Sequence, residues 1–257
     1  MSGRVYGIGL GPGDPELISV KAHRLLTGAR HVAFFRKAGR PGQARTLADC
    51  LMPKGASEHP IEYPVTTEIP VSDPRYNEIL SAFYTKCVAE FKELTEAGEE
   101  VVVLCEGDPF FYGSFMHLYE RLKDTTPVEI VPAVTGMSAA WTATGAPITW
   151  GDDVLTVLMG TLDADTLARH MGQADAIVVM KIGRNLPKIH EALRAAGRDA
   201  AAWSFQDRCR SGRHMDCRDR EEACRFPACI RPLLDQRRGH SLLCTHSKGS
   251  FPRNWVQ

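Results

Sequence analysis

The chain has 257 residues, enough for two α/β domains of ordinary size, and its 31 basic and 31 acidic residues cancel. That balance removes the electrostatic case for a nucleic-acid binder or a polybasic membrane surface. No apolar run reaches the roughly 18 residues of a membrane span, and residues 1–10 lack a basic segment followed by an apolar one, so the expected location is the cytoplasm, with no membrane partner.

In chain order, residues 4–10 (RVYGIGL) read as a strand ending in glycines. A helix follows, with Asp14 as its N-cap, Pro15 in its first position, and Ile18, Ala22, Leu25, Leu26 and Ala29 at helical spacing. Residues 31–35 read as a second strand. Residues 36–73, rich in Pro, Gly and Ser, read as a loop region with a short helix near 45–51. The pattern resumes with a helix at 76–96 closed by Gly98, a β-branched strand at 101–105, a loop and helix, a strand at 128–131, and a small-residue helix at 137–144. Gly145, Pro147 and Gly151 then form a break, which divides the chain into domains 1–148 and 149–257. Strand 154–158, helix 163–171, strand 176–180 and helix 186–196 repeat the alternation. Two βα series separated by such a break predict two α/β domains with a ligand cleft between them.

The character changes after Ala200. Residues 201–257 hold ten Arg, five Cys and two Trp but one Val and one Ile, a composition poorly suited to completing a sheet. An abrupt loss of pattern of this kind is what a shifted reading frame produces, and a divergent extension is the alternative. With an aberrant tail, the expected consequence is a second domain with an open sheet edge. Cys209, Cys217, Cys224 and Cys229 have gaps that fit no common zinc-ligand spacing, so no metal is expected.

Four segments carry candidate chemistry. GIGLGPGDPEL, residues 7–17, lies between a strand and a helix, but its glycines miss the dinucleotide spacing, Pro12 lacks an N–H, and Asp14 stands where a pyrophosphate would sit. A nucleotide-phosphate cradle is therefore disfavoured, and a glycine-rich turn that caps a helix accounts for the loop equally well. VVVLCEGDPFFYGSF, residues 101–115, places Gly107, Asp108 and an aromatic group at the carboxyl end of a strand, where open α/β sheets bind ligands; an ordinary tight turn is the alternative. VPAVTGMSAA, residues 131–140, ends a strand in a Thr–Gly turn before a helix whose small side chains leave room for a bound molecule or for close packing. In DAIVVMKIGRN, residues 175–185, Met180 suits either core filling or a ligand. None of the nine histidines falls in a nucleophile-bearing motif, and His117 reads as a surface helix residue.

Together and in this order, GLGPGDPEL, CEGDPFFYGSF, PAVTGMSAA and VVMKIGRN resemble the tetrapyrrole methylases, from the N-terminus to about Arg198. The longer runs CEGDPFFYGSFMHLYERL, DDVLTVLMGTL and VVMKIGRNLPK resemble the precorrin-2 C(20)-methyltransferase branch. The resemblance implies a homodimer of two α/β domains that holds S-adenosyl-L-methionine in the interdomain cleft and methylates precorrin-2 at C-20 to precorrin-3A. It implies cofactor contacts from Pro12, Gly107, Asp108, Pro109, Tyr112, Thr135, Gly136, Met180 and Lys181; no catalytic base is identified. Arg36, Lys37, Arg40 and Arg45 are candidates for the substrate carboxylates or a solvated surface run. The alternatives are a cobalt-factor II or other corrin-ring methyltransferase, and a non-catalytic tetrapyrrole-binding protein should the tail be defective.

Overall fold

The computed structural model describes residues 2–65, 73–143, 147–198, 203–206 and 242–246, the last two segments as backbone alone. Tertiary contacts divide the chain into 1–136 and 137–257.

The first unit is built around a strand buried along its whole length. Val101–Cys105 (β4) sends Val101, Val103 and Cys105 into one hydrophobic cluster and Val102 and Leu104 into another, the period-two alternation of a strand covered on both faces. Around it stand Val5–Gly9 (β1), His31–Lys37 (β2), Ser57–Tyr63 (β3) and Val128–Val131 (β5), in the order β3-β2-β4-β1-β5 with every pairing parallel. Helices Val20–Thr27 (α1) and Gln43–Leu47 (α2) cover one face through Ala22, Leu26 and Ala44. Pro74–Glu96 (α3) and Phe115–Leu122 (α4) cover the other through Tyr84, Val88, Phe91, Phe115, Leu118 and Leu122.

Two local readings change. Asp14 caps a single 3-10 turn, Pro15–Leu17, by accepting the Glu16 amide at 2.9 Å, and α1 starts afresh where Ser19 accepts the Ala22 amide at 3.2 Å. The loop region 36–73 contains β3, which the sequence conceals. In SEHPIEY only Ile61 is buried, because the strand sits at the sheet edge, where polar residues and a proline are tolerated.

In the second unit Leu155–Met159 (β6) pairs parallel with Ala176–Met180 (β7). Ile177 and Val179 pack with Ala164–Gln173 (α6) and Leu186–Ala195 (α7), whereas Val178 faces Ala140 of Gly136–Ala143 (α5). That packing draws α5 into the second unit, so the division falls at Gly136, ahead of the Gly/Pro break.

The flank of β7 opposite β6 is covered by strands from the tail. Leu242–His246 (β9) pairs antiparallel with β7, and Trp203–Gln206 (β8) pairs antiparallel with β9, giving the order β6-β7-β9-β8. The run LLCTH supplies a short strand that the arginine-rich composition around it masks. The four tail cysteines weighed as zinc ligands lie outside the described residues. Among the described residues, no helix is long and apolar enough to cross a membrane, and no group of three or more His, Cys, Asp or Glu could hold a metal.

Candidate active site

Parallel pairing brings three loops to one edge of the first sheet. The register sets Gly9 beside Cys105 and Ile8 beside Val131, so the chain leaves β1, β4 and β5 side by side. This is the carboxyl edge, where open α/β sheets place their ligands.

The loops are fastened by backbone groups and one carboxylate. Leu10 N–H donates to the Cys105 carbonyl and Gly107 N–H to the Gly11 carbonyl, both at 2.9 Å. Asp108 accepts the Phe110 amide on Oδ1 and the Ala133 amide on Oδ2, again at 2.9 Å each. One side chain thus closes its own turn and ties the β4 loop to the β5 loop. Charge-assisted bonds of this type are among the stronger ones.

Gly9 is required by crowding. A Cβ there would stand 2.4 Å from Ala133 Cβ and 2.6 Å from the Gly107 carbonyl oxygen. Gly107 has the opposite surroundings. Its φ of 63° lies in the left-handed region, and nothing beyond its adjoining residues lies within 4 Å of where its Cβ would be; beyond its own helix and adjoining residues, the same holds at Gly136. Two glycines of adjoining loops therefore leave open space beside a tightly bonded backbone.

The aromatic segment after Asp108 is held in a costly conformation. Tyr112 has φ 54°, and together with Lys181, also 54°, it makes up the non-glycine residues with positive φ among those described. Both rank among the residues that the family resemblance singles out. Tyr112 is 45% exposed, with its ring edge-on to Phe111 at 4.9 Å; Phe110, equally exposed, meets Tyr119 edge-on at 4.8 Å. Pro109, by contrast, is buried.

The structure thus gathers Gly107, Asp108 and Pro109 with the loops that carry Pro12, Thr135 and Gly136. Met180 and Lys181 belong to the second unit. Met180 ends β7, packs with the cluster around Ala140 and Val178, and accepts the Gly160 amide at 2.7 Å. Lys181 is exposed, and its carbonyl accepts from Asn185 Nδ2 at 3.2 Å.

The electrostatics leave little acid–base chemistry at the loops. Complete burial, reinforced by Asp108 and Glu106, pushes the Cys105 thiol well up, so it stays protonated. Of the basic candidates, Arg36 pairs with Glu62 at 2.6 Å, and Arg45 bonds both Glu58 and Asp49. The Arg45 bond holds the Glu58 carboxyl below its usual range. Those two guanidiniums are therefore engaged in neutralising their own sheet edge, whereas Arg40 is exposed.

Sequence reasoning missed two contributors, Gly9 and Ala133, which act by absence of a side chain and through the main chain; Gly11 was placed at the site as a neighbour of Pro12, but not as the acceptor of the Gly107 amide. The glycines of GIGLGPG were visible as a loop. Which of them is crowded, and which offers its carbonyl, depends on the facing loops.

The family model of the tetrapyrrole (corrin/porphyrin) methylases matches residues 4–214, extending the likeness past Arg198. The chain is 47% identical over 196 residues to a precorrin-2 C(20)-methyltransferase of a Sinorhizobium species, an alignment covering 76% of this chain and 80% of that protein. It is 26% identical over 200 residues to a cobalt-precorrin-2 C(20)-methyltransferase of Salmonella typhimurium, covering 77% and 80%. The structure of uroporphyrin-III C-methyltransferase from Thermus thermophilus, complexed with S-adenosylhomocysteine, matches with a TM-score of 0.59 at 26% identity, covering 95% of this chain and 92% of that one.

Proposed function

This chain belongs to the tetrapyrrole (corrin/porphyrin) methylases, and from that premise we propose that it transfers a methyl group from S-adenosylmethionine to C-20 of precorrin-2, giving precorrin-3A in cobalamin biosynthesis. The observation that carries the reading is the 47% identity over 196 residues to a precorrin-2 C(20)-methyltransferase of which the alignment covers 80%. The lower identity, 26%, to the cobalt-precorrin-2 enzyme favours the metal-free substrate.

The loops suit the cofactor. The open space at Gly107 and Gly136 would admit a ligand against the backbone, and the half-exposed Tyr112 ring offers an apolar wall for a flat heterocycle. Pro12, Pro109 and Thr135 complete the assignment on this unit, while Met180 and Lys181 are assigned by the family resemblance alone. S-adenosylmethionine, when bound, supplies a methyl group already activated by its sulfonium.

What the chain contributes is orientation. Both Asp108 oxygens are engaged by backbone amides, which suits it to holding two loops in register rather than to removing a proton. Rigid placement of the reactants then supplies most of the rate. The reading includes a homodimer working in the cytoplasm, for which sedimentation at assay concentration is the direct test of assembly.

Calorimetry with S-adenosylhomocysteine on the purified chain, followed by methylation of precorrin-2 monitored by mass, tests the function. Saturable binding and a net mass gain of CH2, a methyl group replacing one hydrogen, are expected, with the new methyl located at C-20 by NMR of the product. A folded chain that binds no S-adenosylhomocysteine would overturn the reading.

A further inference from the structure

Tyr63 is the last residue of the edge strand β3 and has no part in the motifs that point to the cofactor. Its ring stacks on Phe35 at 5.4 Å and meets Phe83 at 5.5 Å, which fixes the phenol direction. The hydroxyl donates to Ser114 Oγ. Burial pushes the Tyr63 hydroxyl above its ordinary range, so it remains a donor.

Ser114 occupies the N-cap of α4 yet makes no capping bond to its own helix. Serine is favoured at that position because its oxygen accepts a first-turn amide. Here the oxygen is turned to an incoming hydroxyl from β3, and the helix forgoes its cap. The diversion lies at one end of a short loop whose other end is pinned by Asp108. Between the two pins stand Tyr112, at φ 54°, and Gly113, where a Cβ would lie 2.9 Å from the Pro109 carbonyl oxygen. A strained residue persists only where its surroundings over-determine it. Asp108 supplies that constraint on one side, and the Tyr63–Ser114 bond supplies it on the other.

We infer that Tyr63 is a positioning residue for the cofactor loop: through Ser114 it holds Tyr112 in its left-handed conformation and presents that ring to S-adenosylmethionine. The inference rests on the proposed function and adds to it a residue from an edge strand with no recognisable motif. Without the Tyr63 bond, loop conformers that do not present the ring gain population, and apparent affinity falls in proportion to the competent fraction that remains.

The test is a double-mutant cycle in S-adenosylhomocysteine affinity with Tyr63→Phe and Tyr112→Ala, each variant's thermal midpoint being recorded beside it. Tyr63→Phe removes one oxygen and is expected to weaken binding about fivefold, the worth of one ordinary hydrogen bond. In the Tyr112→Ala background the same change is expected to have no further effect on affinity, because the ring it positions is gone. Ser114→Ala should reproduce the Tyr63→Phe loss and serves in its place if the phenylalanine variant does not fold. A purely structural role would shift the midpoint and leave affinity alone, and that result, or a Tyr63 effect undiminished without the Tyr112 ring, overturns the inference while the function stands. A wild-type chain with no affinity for S-adenosylhomocysteine removes both.

Discussion

Asp108 reaches across twenty-five positions of sequence to Ala133, accepting its amide at 2.9 Å and so binding the loop after β4 to the loop after β5. The same carboxylate closes its own turn on the Phe110 amide. Asp108→Ala deletes both bonds and leaves two amides to find new partners. Hydrogen bonds to charged groups are worth about 1.5–3 kcal/mol each, so the variant should lose at least about 2 kcal/mol of stability and most of its S-adenosylhomocysteine affinity. Asp108→Asn, which keeps one acceptor oxygen, should fall between. Denaturant titration with parallel calorimetry checks the order; an alanine variant as tight-binding as wild type would show the loops to be held otherwise.

Gly9→Ala introduces a methyl group where there is no space. Its contacts would be Ala133 Cβ at 2.4 Å and the Gly107 carbonyl at 2.6 Å, one of them backbone. Overpacking costs about 1–3 kcal/mol in ordinary cores. Here the strain falls on the loop pair itself. The expected result is reduced S-adenosylhomocysteine affinity at temperatures where the variant is still folded, read from binding and melting curves on one preparation.

Tyr112 and Lys181, each at φ 54°, allow glycine to be used as a probe of strain. The left-handed conformation costs a non-glycine residue about 1–2 kcal/mol, part of which glycine returns through its larger unfolded-state entropy. Lys181→Gly, at an exposed position, should therefore raise stability by about 0.5–1 kcal/mol. Tyr112→Gly should leave stability near the wild-type value and lower cofactor affinity, since relief of strain comes with loss of the ring. Equal binding by the Tyr112 variant would remove the ring from the site.

Burial, aided by Glu90, pushes the Cys87 thiol from its ordinary 9.0 up to about 11. The folded state thus retains a proton that the unfolded chain releases first. The resulting contribution is fully present below pH 9.0 and disappears as pH rises towards about 11. Denaturant midpoints followed across that interval should decline more steeply for wild type than for Cys87→Ala. Parallel profiles would show that this thiol is not shielded.

The strand β9 covers the flank of β7 opposite β6, pairing Val178 with Cys244 and Val179 with Leu243. A chain ending at residue 198 would present the unpaired main chain of β7 to solvent, a template for association. Light scattering should detect aggregates of the shortened chain under conditions where the full chain stays dispersed. A well-behaved short chain would make β9 dispensable.

Much of this was legible in advance. Strands β4, β5 and β7 fall where the sequence places them, because runs such as VVVLC and AIVVM announce a buried strand by composition alone. The carboxyl-edge loops were legible too, since glycine and proline punctuate the ends of those runs. β3 was not, as an edge strand with one buried residue carries no apolar alternation. β9 was hidden for a different reason: five residues with two leucines do not stand out in an arginine-rich segment.

The sequence by itself determined the α/β class, the loops at the strand ends and the family likeness, because each is written in neighbouring residues through local propensity and spacing. Only the tertiary structure decided that Asp108 meets Ala133, that Gly9 has no room for a methyl group, that Ser114 gives up its helix cap to Tyr63, and that α5 packs with Val178 of the second unit. Those relationships join residues far apart in the chain, and they are set by sheet order and register, which no local pattern encodes.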